Sequence, residues 1–157
     1  MRLTTFSDYA LRVAIYLGVH PGELCTVAGI AQSYGISANH LMKVVHHLGQ
    51  CGYVETVRGK GGGMRLARPP EKINLGELVR ATEEQRLVEC FERGSACRIE
   101  SACALRGILV EALEAFFAVL DRHTLADLLR PERRLAKVLL FSPPAGRRTN
   151  ALAREPR

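Results

Sequence analysis

Cys90, Cys97 and Cys103 lie within fourteen residues, separated by gaps of six and five, in the run Cys90-Phe-Glu-Arg-Gly-Ser-Ala-Cys97-Arg-Ile-Glu-Ser-Ala-Cys103. Gly94-Ser95-Ala96 signals a turn inside the run, so the spacing lets three sulfurs converge on one point. Clustered thiolates select soft or borderline metals: zinc, copper(I) or an iron-sulfur cluster. Three thiols are one short of a closed tetrahedral set. Zinc sites favour close Cys-x2-Cys pairs, whereas these wider gaps form a loose loop able to wrap something larger than one ion. An iron-sulfur cluster is therefore the favoured filling. Redox thiols, with a disulfide pair and a spare, and buried apolar packing are the alternatives.

The surrounding chain bounds what this loop serves. Its 157 residues, 47% apolar, make one domain, or a small head with an extended element. The start, Met1 to Asp8, has no charged segment followed by an apolar run, and eighteen apolar residues never run together. A soluble cytoplasmic protein with no membrane association is expected. An odd count of five cysteines fits thiol or metal chemistry in a reducing compartment better than a secreted disulfide scaffold.

Charge is uneven. Residues 1–80 carry nine Lys/Arg against five Asp/Glu, residues 81–130 six against nine, and residues 131–157 seven against two. A basic front suits a polyanion, and the acidic middle around the cysteines does not.

Residues 4–19 predict a capped, largely buried helix, and 26–34 a short second helix behind a capping threonine. Gly35-Ile36-Ser37 breaks the chain, and 38–50 resumes with Leu41, Val44, Val45 and Leu48 inward. Asn39, His40, Lys43, His46 and His47 are expected to face outward. Two short helices around a glycine turn make a helix-turn-helix. Tyr53–Val57 and Met64–Arg68 then alternate as strands around the basic glycine tip Arg58-Gly59-Lys60-Gly61-Gly62-Gly63, a β-hairpin wing. Those glycines do not form a phosphate-binding P-loop, since Gly61 stands where that motif needs Ser or Thr and a strand follows instead of a helix.

A short helix over 74–82 precedes the cysteine loop. From about 102 to 123 the spacing predicts a rod of roughly 33 Å whose stripe, Leu105, Leu109, Ala112, Phe116 and Val119, is flanked by further apolar residues. That excess face predicts a dimer. Thr124 caps one more short helix, and beyond Pro131 the Arg-rich tail is read as mostly disordered after one amphipathic turn through Leu135 to Phe141.

The expected fold is thus mainly α: a winged helix-turn-helix head at 1–82, a cluster-binding loop at 83–104, a dimerisation helix with its short follower at 102–130, and a basic tail at 131–157. Ser37, Asn39, His40 and Lys43 on the second motif helix, with Arg58, Lys60 and Arg65 on the wing, are the candidate DNA-binding residues. Solvated polar faces are the plainer alternative for each. Cys25 and Cys51 are taken as small apolar fillers.

Thr5-Phe6-Ser7-Asp8-Tyr9-Ala10-Leu11-Arg12, Ile36 to Val45, Val57 to Arg68 and the cysteine triplet together resemble the iron-sulfur winged-helix regulators, in particular their nitric-oxide-sensing repressors, over residues 1 to about 130. The resemblance implies a homodimer on palindromic operator DNA, with one iron-sulfur cluster per subunit, 4Fe-4S favoured over 2Fe-2S. It implies Cys90, Cys97 and Cys103 as ligands, completed by Asp8 of the partner subunit; the alternative for Asp8 is an acid that offsets the helix dipole. Relatives that serve cluster biogenesis use a histidine just after the third cysteine, and Leu105-Arg106-Gly107 departs from that pattern. The function implied is repression relieved when nitric oxide nitrosylates or destroys the cluster. The competing readings are a cluster-status or redox sensor of the same family, and an iron-sulfur enzyme or electron carrier. No fourth cysteine in the loop and no paired acid/base groups favour the last, so no enzyme is expected.

Overall fold

The computed structural model describes residues 2–84, 87–91, 97–99, 102–130 and 138–139. Six α-helices and one hairpin are present among them: α1 (Thr5–Gly18), α2 (Val27–Tyr34), α3 (Ala38–Gln50), β1 (Val54–Val57), β2 (Gly63–Leu66), α4 (Leu75–Thr82), α5 (Ala104–Leu120) and α6 (Leu125–Leu129).

Local chemistry sets the boundaries. The hydroxyls of Thr4 and Thr26 and the side-chain oxygen of Asn74 accept from Ser7, Gly29 and Glu77 amides, so α1, α2 and α4 each begin on a side-chain cap. Gly35 ends α2 at φ 65, the left-handed conformation that glycine adopts without a Cβ penalty. Thr124 and Asp127 form a reciprocal capping box at the start of α6.

β1 and β2 pair antiparallel, Val54 opposite Leu66 and Val57 opposite Gly63. Cys25 exchanges both backbone hydrogen bonds with Met64, at 2.9 and 2.8 Å, so the segment before α2 lies along β2 and fixes the wing to the head. A Cβ on Gly63 would meet the Cys25 carbonyl at 2.7 Å, and one on Gly62 the Val57 carbonyl at 2.3 Å. The glycine run therefore serves close backbone approach at the tip of the hairpin.

Ala10, Val13 and Leu17 of α1, Ile30 of α2, Leu41, Val44 and Leu48 of α3, Tyr53, Val54 and Met64 of the hairpin, Leu78 of α4 and Leu125 of α6 form one core. Leu139, next to Val138 in a helical pair, is also buried in it. The remainder of the expected tail lies outside the described residues.

The last long helix differs from expectation. It spans 17 residues rather than 22. Its end is decided by tertiary bonds: both oxygens of Asp121 hold Arg80, at 2.6 and 2.7 Å, and Asn74 donates to the Asp121 carbonyl at 2.7 Å. The chain is turned there toward Thr124, which bridges Asn74. Of α5 only Phe117 is buried, under the Arg80 guanidinium at 4.3 Å from its ring. Leu105 and Ile108 are 56% and 61% exposed.

Candidate functional site

Successive residues of a helix are about 100° apart, so Asn39, Met42, Lys43 and His46 share the face of α3 opposite the buried Leu41, Val44, Val45 and Leu48. All four are exposed, as are Ser37 and His40. Ser37 occupies the N-cap of α3 without a side-chain hydrogen bond to the helix, leaving its hydroxyl available for a phosphate or base. His40 falls on the flank toward α1, its ring 6.5 Å from that of Tyr9. Together with Thr5, Phe6, Lys43 and Val44 they line a cavity of about 260 Å³ between α1 and the outer edge of α3.

His47 does not face outward with them. It is half-buried, its Nε2 2.7 Å from the Ala81 carbonyl and its ring edge-on to Phe6 at 5.4 Å. A carbonyl only accepts, so Nε2 carries the proton. This histidine fastens α3 to the last turn of α4. The helical pattern places it within 40° or so of Lys43, too near the boundary for sequence to separate an anchor from a reader.

On the wing, Arg58, Gly59, Lys60 and Gly61 are exposed at the tip. Arg65 is exposed too, but its guanidinium pairs with Glu55 directly across the strands. Arg68, which sequence reasoning passed over, is structural: it donates to the Gly52 and Cys51 carbonyls at 3.1 and 3.3 Å and lies over the Tyr53 ring at 4.7 Å. It thereby holds the end of α3 against the base of the wing. A basic residue at the end of the expected second strand, which the structure ends at Leu66, was its only signal.

Asp8, in the first turn of α1, is gripped by Arg12 one turn on, with Nε and Nη2 at 3.1 and 3.0 Å. The Arg12 guanidinium lies 5.6 Å from the Tyr34 ring centre, and the Tyr34 hydroxyl donates to the Arg12 carbonyl at 3.2 Å. Burial pushes that phenol up to about 12, so it stays a donor at any working pH. The Asp8 carboxylate remains about half exposed at the head's surface.

Among the described residues no disulfide forms, and Cys25, buried with its thiol pushed up by burial, packs as an inert filler. Cys51 is half-buried, 3.6 Å from His47 Nε2. Cys90 sits in a 3-10 turn over Glu89–Phe91, and Arg106 of α5 donates to its carbonyl at 3.1 Å. Cys103 is the N-cap of α5 and makes no side-chain hydrogen bond to the helix. Cys97 is exposed. Among the described residues no three His, Cys, Asp or Glu side chains are grouped closely enough to hold a metal ion, so the convergence expected from spacing is not present in them. The donor set still fits an iron-sulfur cluster in kind: three thiols outside any disulfide, two of them on segments tied together by Arg106, one at a helix N-terminus.

A helix-turn-helix with a basic wing, joined to a helix whose apolar face is bare, is the build of a winged-helix transcriptional regulator. The chain belongs to the Rrf2 family, described as iron-dependent transcriptional regulators, whose pattern matches residues 3–131. It is 51% identical over 142 residues to the HTH-type transcriptional regulator NsrR of Bacillus subtilis (strain 168), covering 88% of this chain and 97% of that one. NsrR of Shouchella clausii (strain KSM-K16) is 46% identical over 144 residues, covering 90% and 97%. Among solved structures, T. potens IscR superposes with a TM-score of 0.68 at 26% identity, covering 83% of this chain and 88% of that one. CymR, the global cysteine regulator of B. subtilis, superposes at 0.65 and 28% identity, covering 82% and 95%. The protein is a DNA-binding transcriptional regulator of mainly helical, winged-helix fold, and not an enzyme. No described helix is long and apolar enough to cross a membrane.

Proposed function

We propose that this regulator is a homodimeric repressor that holds one iron-sulfur cluster per subunit and releases palindromic operator DNA when nitric oxide nitrosylates or removes that cluster. The observation that carries the reading is the pairing, in one chain, of an exposed reading helix and wing with three cysteines outside any disulfide at the base of an uncovered apolar helix.

Cys90, Cys97 and Cys103 are the thiolate ligands in this reading, and Asp8 of the partner subunit supplies the oxygen donor. Bound there, the cluster would supply iron that a small neutral ligand such as nitric oxide could attack, with those four residues as its protein donors. Arg12 pairs with Asp8 at the surface of the head, and Tyr34 in turn holds the Arg12 backbone; in this reading a second protomer reaches Asp8 there. The bare face of α5 provides the dimer contact, since a stripe containing Leu105 and Ile108 needs cover. Ser37, Asn39, His40 and Lys43 approach the major groove, while Arg58, Lys60 and Arg65 take phosphates or the minor groove. Freeing Asp8 from the partner releases the fixed distance between the two heads. A hundredfold loss of operator affinity requires only about 2.7 kcal/mol.

Visible and EPR spectra of anaerobically purified protein, titrated with nitric oxide alongside operator binding, test the reading. A brown protein whose nitrosylated and cluster-free forms bind at least tenfold more weakly is expected. Colourless material, or equal affinity in all three forms, overturns it.

A further inference from the structure

Met42 is 56% exposed on the same face of α3, one turn from Asn39 and from His46 and next in sequence to Lys43. A large apolar side chain there is out of place on a surface otherwise built of hydrogen-bonding and cationic groups. No described element covers it: α1 packs along the His40 and His47 flank, and α5, the apolar helix that lacks a partner, is anchored on α4 through Arg80 and Asp121. Of the other exposed apolar residues of the head, Leu24 at 38% lies beside the hairpin and Val57 at 43% is in its first strand, neither on α3.

We infer that Met42 reads sequence: its thioether chain packs on the 5-methyl group of a thymine in the major groove. The inference rests on the proposal that α3 enters that groove, and deepens it by naming what one residue recognises. The 5-methyl of thymine is the one apolar group that base edges present there, and it separates T·A from the other three pairs. An unbranched, polarizable side chain with three rotatable bonds adapts to such a group without demanding a fixed geometry. Asn39 and Lys43, one turn back and one residue on, supply polar contacts to the neighbouring bases or phosphates.

The experiment starts from an operator selected out of a random duplex pool by the full-length, anaerobically purified protein. Each thymidine of the selected half-site is then replaced singly by deoxyuridine, which deletes only the methyl. Wild-type protein is expected to lose about fourfold in affinity at one position, the equivalent of about 0.8 kcal/mol for one buried methyl-sized group. Met42→Ala should bind the intact operator about fourfold more weakly and be indifferent to that replacement, while Met42→Leu keeps the sensitivity. Because Met42 is exposed, both variants should fold as wild type, which circular dichroism verifies. Wild-type protein indifferent to every replacement, or an equal loss for wild type and Met42→Ala, overturns the inference while leaving operator binding intact. Failure to select any sequence overturns the repressor reading as well.

Discussion

His47 Nε2 lies 2.7 Å from the carbonyl oxygen of Ala81, which bonds α3 to the last turn of α4, the helix that precedes the cysteine run. The same turn is held from the other side, where the Ser7 hydroxyl donates to the Thr82 carbonyl at 2.9 Å and the Thr4 amide to the Glu83 carboxylate. Helices α1, α3 and α4 therefore meet at one knot, a few residues before Cys90.

His47→Leu removes the donor and leaves the Ala81 carbonyl without it. A loss of about 1–3 kcal/mol in urea unfolding is expected. If the knot also transmits, the ratio of operator affinities between cluster-loaded and cluster-free protein should shrink severalfold. A variant as stable as wild type, with an unchanged ratio, would show the bond to be incidental.

Asp8 separates two roles by experiment. Its ion pair with Arg12 is exposed and one helical turn long, worth about 0.3–0.5 kcal/mol. Asp8→Ala should therefore leave thermal unfolding of cluster-free protein nearly unchanged. The EPR signal and the rate of colour loss under nitric oxide should both change if Asp8 is a ligand to the partner's cluster. Identical spectra would return it to the role of a first-turn acid facing the helix dipole.

Wing cations differ in how free they are. Arg58 and Lys60 stand exposed at the tip, and replacing either by Ala should lower the slope of log affinity against log salt by about 0.9 for each phosphate that is no longer neutralised. Arg65 is already paired with Glu55. Glu55→Gln frees it, so operator binding should tighten a fewfold at low salt. Weaker binding by that variant would show that the pair itself positions the wing.

Much of the head was legible because its signals are local. Thr26 and Gly35 bracket α2 within a few residues of the bonds they make, Ser37 marks the start of α3, and the burial of Leu41, Val44, Val45 and Leu48 follows a helical stripe. What escaped reading depends on distant partners. Arg80, forty-one residues before Asp121, decides where α5 stops. His47 looks like a reader on a wheel and becomes an anchor only because Ala81 arrives beside it. Arg65 looks free until Glu55 lies across the ladder. The thiols at 90, 97 and 103 lie outside regular strands and helix interiors, where spacing sets what is within reach and not where each sulfur rests.

The bare face of α5 gives the simplest test of assembly. Ile108 is 61% exposed in the second turn of that helix, so Ile108→Glu costs little within one protomer and places a charge in any contact that covers it. Sedimentation should show a dimer for wild type and a monomer for the variant, with operator affinity falling at least tenfold as the second half-site is lost. A dimeric variant would move the contact off this face.

Asp121 makes the docking of α5 sensitive to acid. Its hydrogen-bonded pair with Arg80 holds the carboxyl below the usual carboxylate range. A depressed folded pKa contributes stability above the unfolded value of about 3.9, and that contribution is lost as pH falls through the folded pKa. Asp121→Asn should lower Tm by a similar amount at every pH above about 5, with the gap to wild type closing as the solution is taken toward pH 2. Gly76 supplies an independent check, because a Cβ there would lie 1.9 Å from the Asp121 carboxylate. Gly76→Ala must displace that carboxylate from Arg80, and its Tm should show the same loss of pH dependence. A Gly76→Ala protein that keeps the wild-type acid profile would mean the pair can re-form in another rotamer, and that α5 is held mainly by Phe117 beneath the guanidinium.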